Sequence, residues 1–314
     1  MPTKPSEFLD VHGAASAAFE RGTARLKAWL MLLAHAQVLM PGAAAVGTWV
    51  VQVLAGLPMS PQPILAVFLV FFSIYTFDRV TAEPKADAVT HPERAQFARR
   101  HARPLLTLAF AAYALALGLS VSGGPRRLLT LLLPVVALLL YSFPVVPRAL
   151  ARRWGFRRLK EIFGVKNAVV GATFATTLTL APLPPEGAPA PGPLAALWMF
   201  IFVRFFINSA VFDMRDEVGD RQQGVRTLPV VLGRARTRKV LHTLNLAQGS
   251  FLLALTLLGL VPTAFAALGV SALFSAWYLR KTAQRAPLHF LCDVVVDGEL
   301  YVAGAAVLLA LSLM

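Results

Sequence analysis

Three aspartates close an apolar stretch at residues 202–233, FVRFFINSAVFDMRDEVGDRQQGVRTLPVVLG. At about 100° per residue, Ser209, Asp213, Asp216 and Asp220 share a narrow sector of one helical face. Phe202, Phe205 and Phe206 continue that sector inward. Like charges one turn apart repel, and the negative end of the helix dipole adds to the penalty, so the row favours a bound cation. Mg²⁺ takes oxygen ligands, often one or two carboxylates plus substrate phosphates. Acids at the mouth of an aromatic face therefore suit Mg²⁺ bridging to a diphosphate. The competing reading is a solvated helix end, the commoner reason for charges at a membrane edge.

A second acidic end follows FFSIYTFDR, residues 71–79. Asp78 shares a helical face with Phe71, Ile74 and Tyr75, and Glu83, Lys85 and Asp87 come next. Asp78 with Glu83 or Asp87 could hold a second Mg²⁺; otherwise Asp78 and Arg79 mark the end of a span. Residues 141–167, YSFPVVPRALARRWGFRRLKEIFGVKN, carry seven basic side chains. Topological anchoring accounts for Arg148, Arg152 and Arg153. Lys160, Lys166 and Asn167 lie nearer the membrane and are better placed to reach a phosphate or an acceptor. Tyr141 fits an interfacial belt residue, though its ring could face a cavity. Arg204, about 13 Å up the helix from Asp213, lies opposite the aspartate face, which suits a structural pair as well as a functional role. His289, Asp293, Asp297 and Glu299 could ligate a metal, but a polar helix start is the more usual meaning of such a group. The other histidines form no cluster.

The elements that must position these groups are membrane spans. The chain has 314 residues, 57% hydrophobic and 15% charged, with a mean hydropathy of +0.63. A soluble domain would carry about 25% charged residues. Nine apolar segments run roughly over 28–55, 62–79, 104–121, 127–144, 164–182, 193–213, 240–260, 262–279 and 288–313. Most have the length a helix needs to cross about 30 Å of hydrocarbon. Nothing alternates like a barrel strand, and lipid requires internal backbone hydrogen bonding, so the spans are helices. The expected fold is all-α: a polytopic membrane protein with nine transmembrane helices bundled around a central cavity. Residues 1–27 form a polar lead without a cleavable signal, and 28–314 form one transmembrane domain.

All but three of the 30 basic residues fall within 1–27, 79–103, 148–166, 215–239 and 280–285. The exceptions are Arg126, Arg127 and Arg204. The positive-inside rule then puts the N-terminus and the long loops in the cytoplasm and the C-terminus outside. The two acidic span ends lie four helices apart and face the same side, an echo of a parallel duplication across a shared cavity. A net charge of +14 confined to short loops suits membrane lipid headgroups and a phosphate-bearing substrate, and no nucleic-acid partner is expected. The single Cys292 excludes an internal disulfide. The Pro-rich stretch 181–193 offers no side chain suited to catalysis.

DMRDEVGDRQQGVRTLPVVLG, RRLKEIFGVKN and the nine-span pattern make the chain resemble the UbiA-type intramembrane prenyltransferases over most of its length. The resemblance implies a helical bundle open laterally to lipid, with Mg²⁺ and an isoprenyl diphosphate held by two aspartate motifs. Ionisation gives an allylic cation that an aromatic or lipid acceptor captures. It implies metal roles for Asp213, Asp216 and Asp220 from the second motif and Asp78 from the first. Lys160, Lys166, Asn167 and Arg226 become phosphate or acceptor contacts, with Arg221 beside them. The first motif departs from the pattern: Ile74 stands where members show Asn, and Ala82 and Lys85 where they show a further Asp. Glu83 and Asp87 are candidate substitutes. Some relatives cyclise the diphosphate without an acceptor, which is the alternative reaction. An inactive transporter or lipid-binding relative is a further alternative, disfavoured because the acids sit at one edge rather than at the midplane. Chain length, acceptor, regiochemistry and oligomeric state are not legible in the sequence.

Overall fold

The structure, a computed structural model, describes residues 5–81, 92–142, 162–187, 189–222, 224–283 and 288–313. Among them every regular element is helical. In chain order these are α1 (Pro5–His35), α2 (Leu39–Leu54), α3 (Pro61–Thr81), α4 (Pro92–Arg100), α5 (Ala102–Ser120) and α6 (Gly124–Ser142). There follow α7 (Val165–Leu180), α8 (Pro191–Gln222), α9 (Leu228–Leu232), α10 (Arg234–Leu257), α11 (Gly269–Lys281) and α12 (Glu299–Ser312). A 3₁₀ turn over Thr263–Leu268 leads into α11, and a π turn over Leu291–Val296 leads into α12.

Among the described residues, five helical stretches are long and apolar enough to cross a membrane, or six if the bent pair α1–α2 counts as one span. The single span expected over 28–55 is in fact two helices meeting at 83°. Gln37 makes the break: its φ of 58° is left-handed, and its side-chain amide donates to Ala34 O at 3.1 Å, closing off α1. The apolar stretch Ala102–Leu140 also folds back on itself. Gly124 has a φ of 73°, and Tyr113 Oη donates to Leu131 O at 3.4 Å. A continuous helix would hold those two residues about 27 Å apart. At 16 and 13 residues, α7 and α11 fall short of the usual spanning length. Helix length alone therefore does not reproduce nine spans.

Lipid tails are as apolar as leucine, so spans associate through close packing and interhelical hydrogen bonds. Both are present. Gly171 of α7 lets α8 approach until a Cβ there would stand 2.8 Å from the Phe202 carbonyl. Gln248 donates to Phe200 O at 3.0 Å, Asn245 to Ala272 O at 2.9 Å and Trp198 to Thr176 Oγ1 at 3.0 Å. The last helix returns to the second: Tyr301 Oη donates to Leu39 O at 3.0 Å across 262 residues of sequence. On the other side of the bundle, Arg127 Nε donates to Ala181 O at 2.8 Å and Arg126 to Pro184 O. These two arginines tie the hairpin tip at Gly124 to the Pro-rich connection.

Deep in the bundle lies a polar knot. Arg204 Nη1 donates to Glu299 Oε1 at 3.1 Å and to Ser275 Oγ at 2.8 Å. Ser271 and Tyr278 also donate to Glu299, at 2.8 and 2.9 Å, and Ser275 joins them. Arg204 and Glu299 are thus a buried structural pair that ties α8 to α11 and α12.

Candidate active site

Helix α8 is apolar over most of its length and carries the aspartate row near its C-terminal end. Asp213 is fully buried. Lys166 Nζ stands 2.6 Å from its Oδ1, and Asn167 Nδ2 donates to its Oδ2 at 2.9 Å and to Ser209 Oγ at 2.9 Å. Lys166 and Asn167 occupy the first turn of α7, which the chain joins through Gly164 at a φ of 72°. A residue with a Cβ would be strained at that left-handed position. The tight turn thus places both side chains against α8.

One turn on, Asp216 is gripped by its neighbour. Arg215 donates from Nε and Nη2 to the two Asp216 oxygens at 2.8 and 2.9 Å, and from Nη1 to Asp293 Oδ1 at 2.6 Å. Asn208 Nδ2 donates to Asp297 Oδ1 at 3.1 Å. Asp220 Oδ2 is buried with no hydrogen-bond partner among the described residues.

A cavity of about 190 Å³ gathers these ends. Asp78 of α3 and Asp216 of α8 both line it, with Lys166 and Ser209. Asp293 and Asp297 enter from the last span, and His35 and Gln37 from the end of α1. A second cavity of about 210 Å³ runs on from it, lined by Phe71, Ile74, Phe174, Pro134 and Leu138. Tyr75, Asp78 and Val170 line both, so a charged chamber continues into an apolar groove. The wall of the groove is an aromatic stack: Phe174 lies 4.1 Å from Phe71 and 3.6 Å from Phe205, ring centre to ring centre.

The aspartate row therefore divides. Asp216 faces the chamber, while Asp213 and Asp220 line neither cavity. Phe205 reaches the groove wall through Phe174, but Phe202 stacks on Trp198 at 5.2 Å and Phe206 lies against Phe202. Arg221 is exposed and pairs with Glu217 at 3.0 Å, and Arg226 is exposed as well. Glu83, Asp87 and Lys160 lie outside the described residues, and of Tyr141 only the helical backbone is described.

Among the described residues, no three His, Cys, Asp or Glu side chains converge as a complete metal cage. The donors present are instead hard carboxylate oxygens on separate helices around an open chamber. Such a set suits a cation whose remaining ligands come with the substrate, the usual arrangement for Mg²⁺ and phosphates.

The family model for the UbiA prenyltransferase family matches residues 38–290. The chain belongs to that family. Solved structures with the same fold include an apo UbiA homologue from Aeropyrum pernix K1 at a TM-score of 0.58 and 13% identity, covering 88% of this chain and 98% of that one. A UbiA homologue from Archaeoglobus fulgidus bound to GPP and Mg²⁺ gives 0.53 at 16% identity, over 88% and 97%. A digeranylgeranylglyceryl phosphate synthase gives 0.53 at 14%, over 89% and 96%. No curated protein matches the chain in sequence. In this UbiA family member, sequence reasoning passed over Arg215, Asn208 and Phe174. Arg215 had a visible signal, a cation between two acids in DMRDE. Phe174 and Asn208 had none beyond lying within apolar spans.

Proposed function

We propose that this protein transfers an isoprenyl group from an isoprenyl diphosphate to an aromatic or lipid acceptor within the membrane, with Mg²⁺. One observation carries the reading: Asp78 and Asp216, from separate helices, line one chamber that continues into an apolar, aromatic-walled groove. A diphosphate suits the chamber and a greasy tail suits the groove. UbiA homologues bound to GPP or DMAPP with Mg²⁺ support the same assignment.

Asp78 and Asp216, which line the chamber, are the residues to hold Mg²⁺, with Asp220, Glu83 and Asp87 as further candidates. When bound, the ion supplies charge neutralisation to the departing diphosphate. Lys166, held by Asp213 and lining the chamber, offers a fixed positive charge to the same oxygens, a preorganised electrostatic contribution. Asn167 keeps Asp213 and Ser209 in register. The faces of Tyr75 and Phe71 in the groove stabilise an allylic cation through their ring quadrupoles and keep water from it. The exposed Arg221 and Arg226 offer positive charge that draws in the diphosphate, with Lys160 as a further candidate. In the topology that goes with this reading, nine spans form one domain over 28–314. The basic loops and N-terminus are cytoplasmic and the C-terminus is on the other side.

Acceptor-free cyclisation is the second reading. What favours it is Ile74, which stands in the first motif and lines the apolar groove instead of adding a polar group beside Asp78. Incubation with farnesyl or geranylgeranyl diphosphate and Mg²⁺, with and without aromatic acceptors, separates the two by product mass. Asp216→Asn and Asp220→Asn are expected to abolish turnover while the purified protein still inserts and folds. Full activity in the double variant would overturn the assignment.

A further inference from the structure

The reading above leaves Arg215 without a task, although its side chain is only 7% exposed and lies against the chamber. Its fork takes both oxygens of Asp216, and its remaining terminal nitrogen takes Asp293. The Phe212 ring backs the guanidinium at 4.7 Å. Three contacts on three sides leave this arginine little freedom.

A carboxylate has about four lone-pair positions, and a bidentate guanidinium uses two of them. Asp216 can therefore be clamped by Arg215 and still offer lone pairs to a cation in the chamber. Asp293 is not needed merely to neutralise Arg215, because Asp216 already does that. A second buried acid in a span is costly unless it has work to do. It also reaches Arg215 from unusual backbone: Leu291–Val296 is a π turn, in which Asp297 N bonds back to Cys292 O at 3.3 Å. Such turns are rare and frequently lie at functional sites.

We propose that Asp293 is a positioning residue for the cation site, acting on Asp216 through Arg215. The relay fixes the plane of the Asp216 carboxylate. Because one guanidinium charge is divided between two acids, the trio keeps a net negative charge, and Asp216 stays attractive to a divalent ion. Without the Asp293 charge, Arg215 would neutralise Asp216 alone and free it to turn. This rests on the isoprenyl-diphosphate reading and assigns a residue of the last span to that site.

The test uses the full chain in detergent with Mg²⁺ and an unreactive thiolo analogue of geranyl diphosphate. The readout is the Mg²⁺ concentration that gives half of the maximal thermal stabilisation. Asp293→Asn is expected to raise it about 10- to 100-fold, the usual effect of losing a partner behind a metal ligand. Arg215→Lys keeps the charge but loses the fork, and is expected to show the same shift. Asp293→Glu should restore most of it. If Asp293→Asn lowers the melting temperature and leaves the Mg²⁺ midpoint unchanged, the residue is structural and the proposal fails. Should that variant not fold, an unchanged midpoint in Arg215→Lys overturns the proposal equally. A parent protein that shows no Mg²⁺-dependent stabilisation would instead sink the diphosphate reading, and this inference with it.

Discussion

Replacing Lys166 by Met removes the cation that faces Asp213 while keeping most of the side-chain volume. Asp213 has no exposure at all and Lys166 keeps 19%, so the 2.6 Å pair is largely shielded from water. Breaking a buried pair by removing one partner typically costs about 3–5 kcal/mol, because the other charge is left uncompensated. The amide of Asn167 still donates to Asp213 at 2.9 Å, which puts the expected loss nearer the lower figure. Adding Asp213→Asn to Lys166→Met removes the stranded charge and should recover most of the stability. Activity should behave differently. Loss of one preorganised donor to a developing oxyanion costs on the order of 10²–10³ in rate, and no repair at Asp213 replaces it. Thermal melting in detergent and diphosphate release, measured on both variants, separate the two effects. A single variant as stable as the parent would refute the ion-pair argument. A double variant that recovers full turnover would refute the role given to Lys166.

Phe174→Ala removes the middle ring of the Phe71–Phe174–Phe205 stack, and a buried aromatic truncated this way costs about 3–5 kcal/mol. In the folded fraction the enlarged groove should favour longer isoprenyl diphosphates, read as a shift in relative kcat/KM from geranyl towards geranylgeranyl diphosphate. Arg204→Met strands Glu299 among Ser271, Ser275 and Tyr278 and should cost about 3–5 kcal/mol in melting experiments, with KM for the diphosphate unchanged.

The sequence made one edge of the site legible because charge in a span is expensive and therefore conspicuous. Asp78 and Asp216 could be paired from two acidic span ends four helices apart, and they do line one chamber. Lys166 and Asn167 could be found because both fall at the start of the apolar segment 164–182, in the first turn of α7. What could not be found depends on rotation and depth. Helical phase set Phe202 and Phe206 in the aspartate sector, but Phe202 packs against Gly171 of α7 and stacks on Trp198 rather than lining the groove. The break at Gln37 was hidden because Gln is not a residue that announces a left-handed turn, and the apolar pattern runs through it. Asp293 looked like a polar helix start because a π turn has no simple sequence signature.

The three like charges of the row are not left to a bound cation alone. The protein supplies cations of its own: Lys166 to Asp213, and Arg215 to Asp216 and Asp293. Each offsets the cost of an acid in or next to a span, so that Asp213, Asp216 and Asp293 can pack before any metal binds. The division of labour follows from geometry. Asp213 is sealed against Lys166 and spends its charge on position, whereas Asp216 keeps one side open to the chamber. A divalent ion then has to add only to a site that is already rigid and whose negative charge is partly offset. This favours a weak metal site completed by the diphosphate over a cage that binds metal alone, consistent with the absence of a three-acid convergence among the described residues.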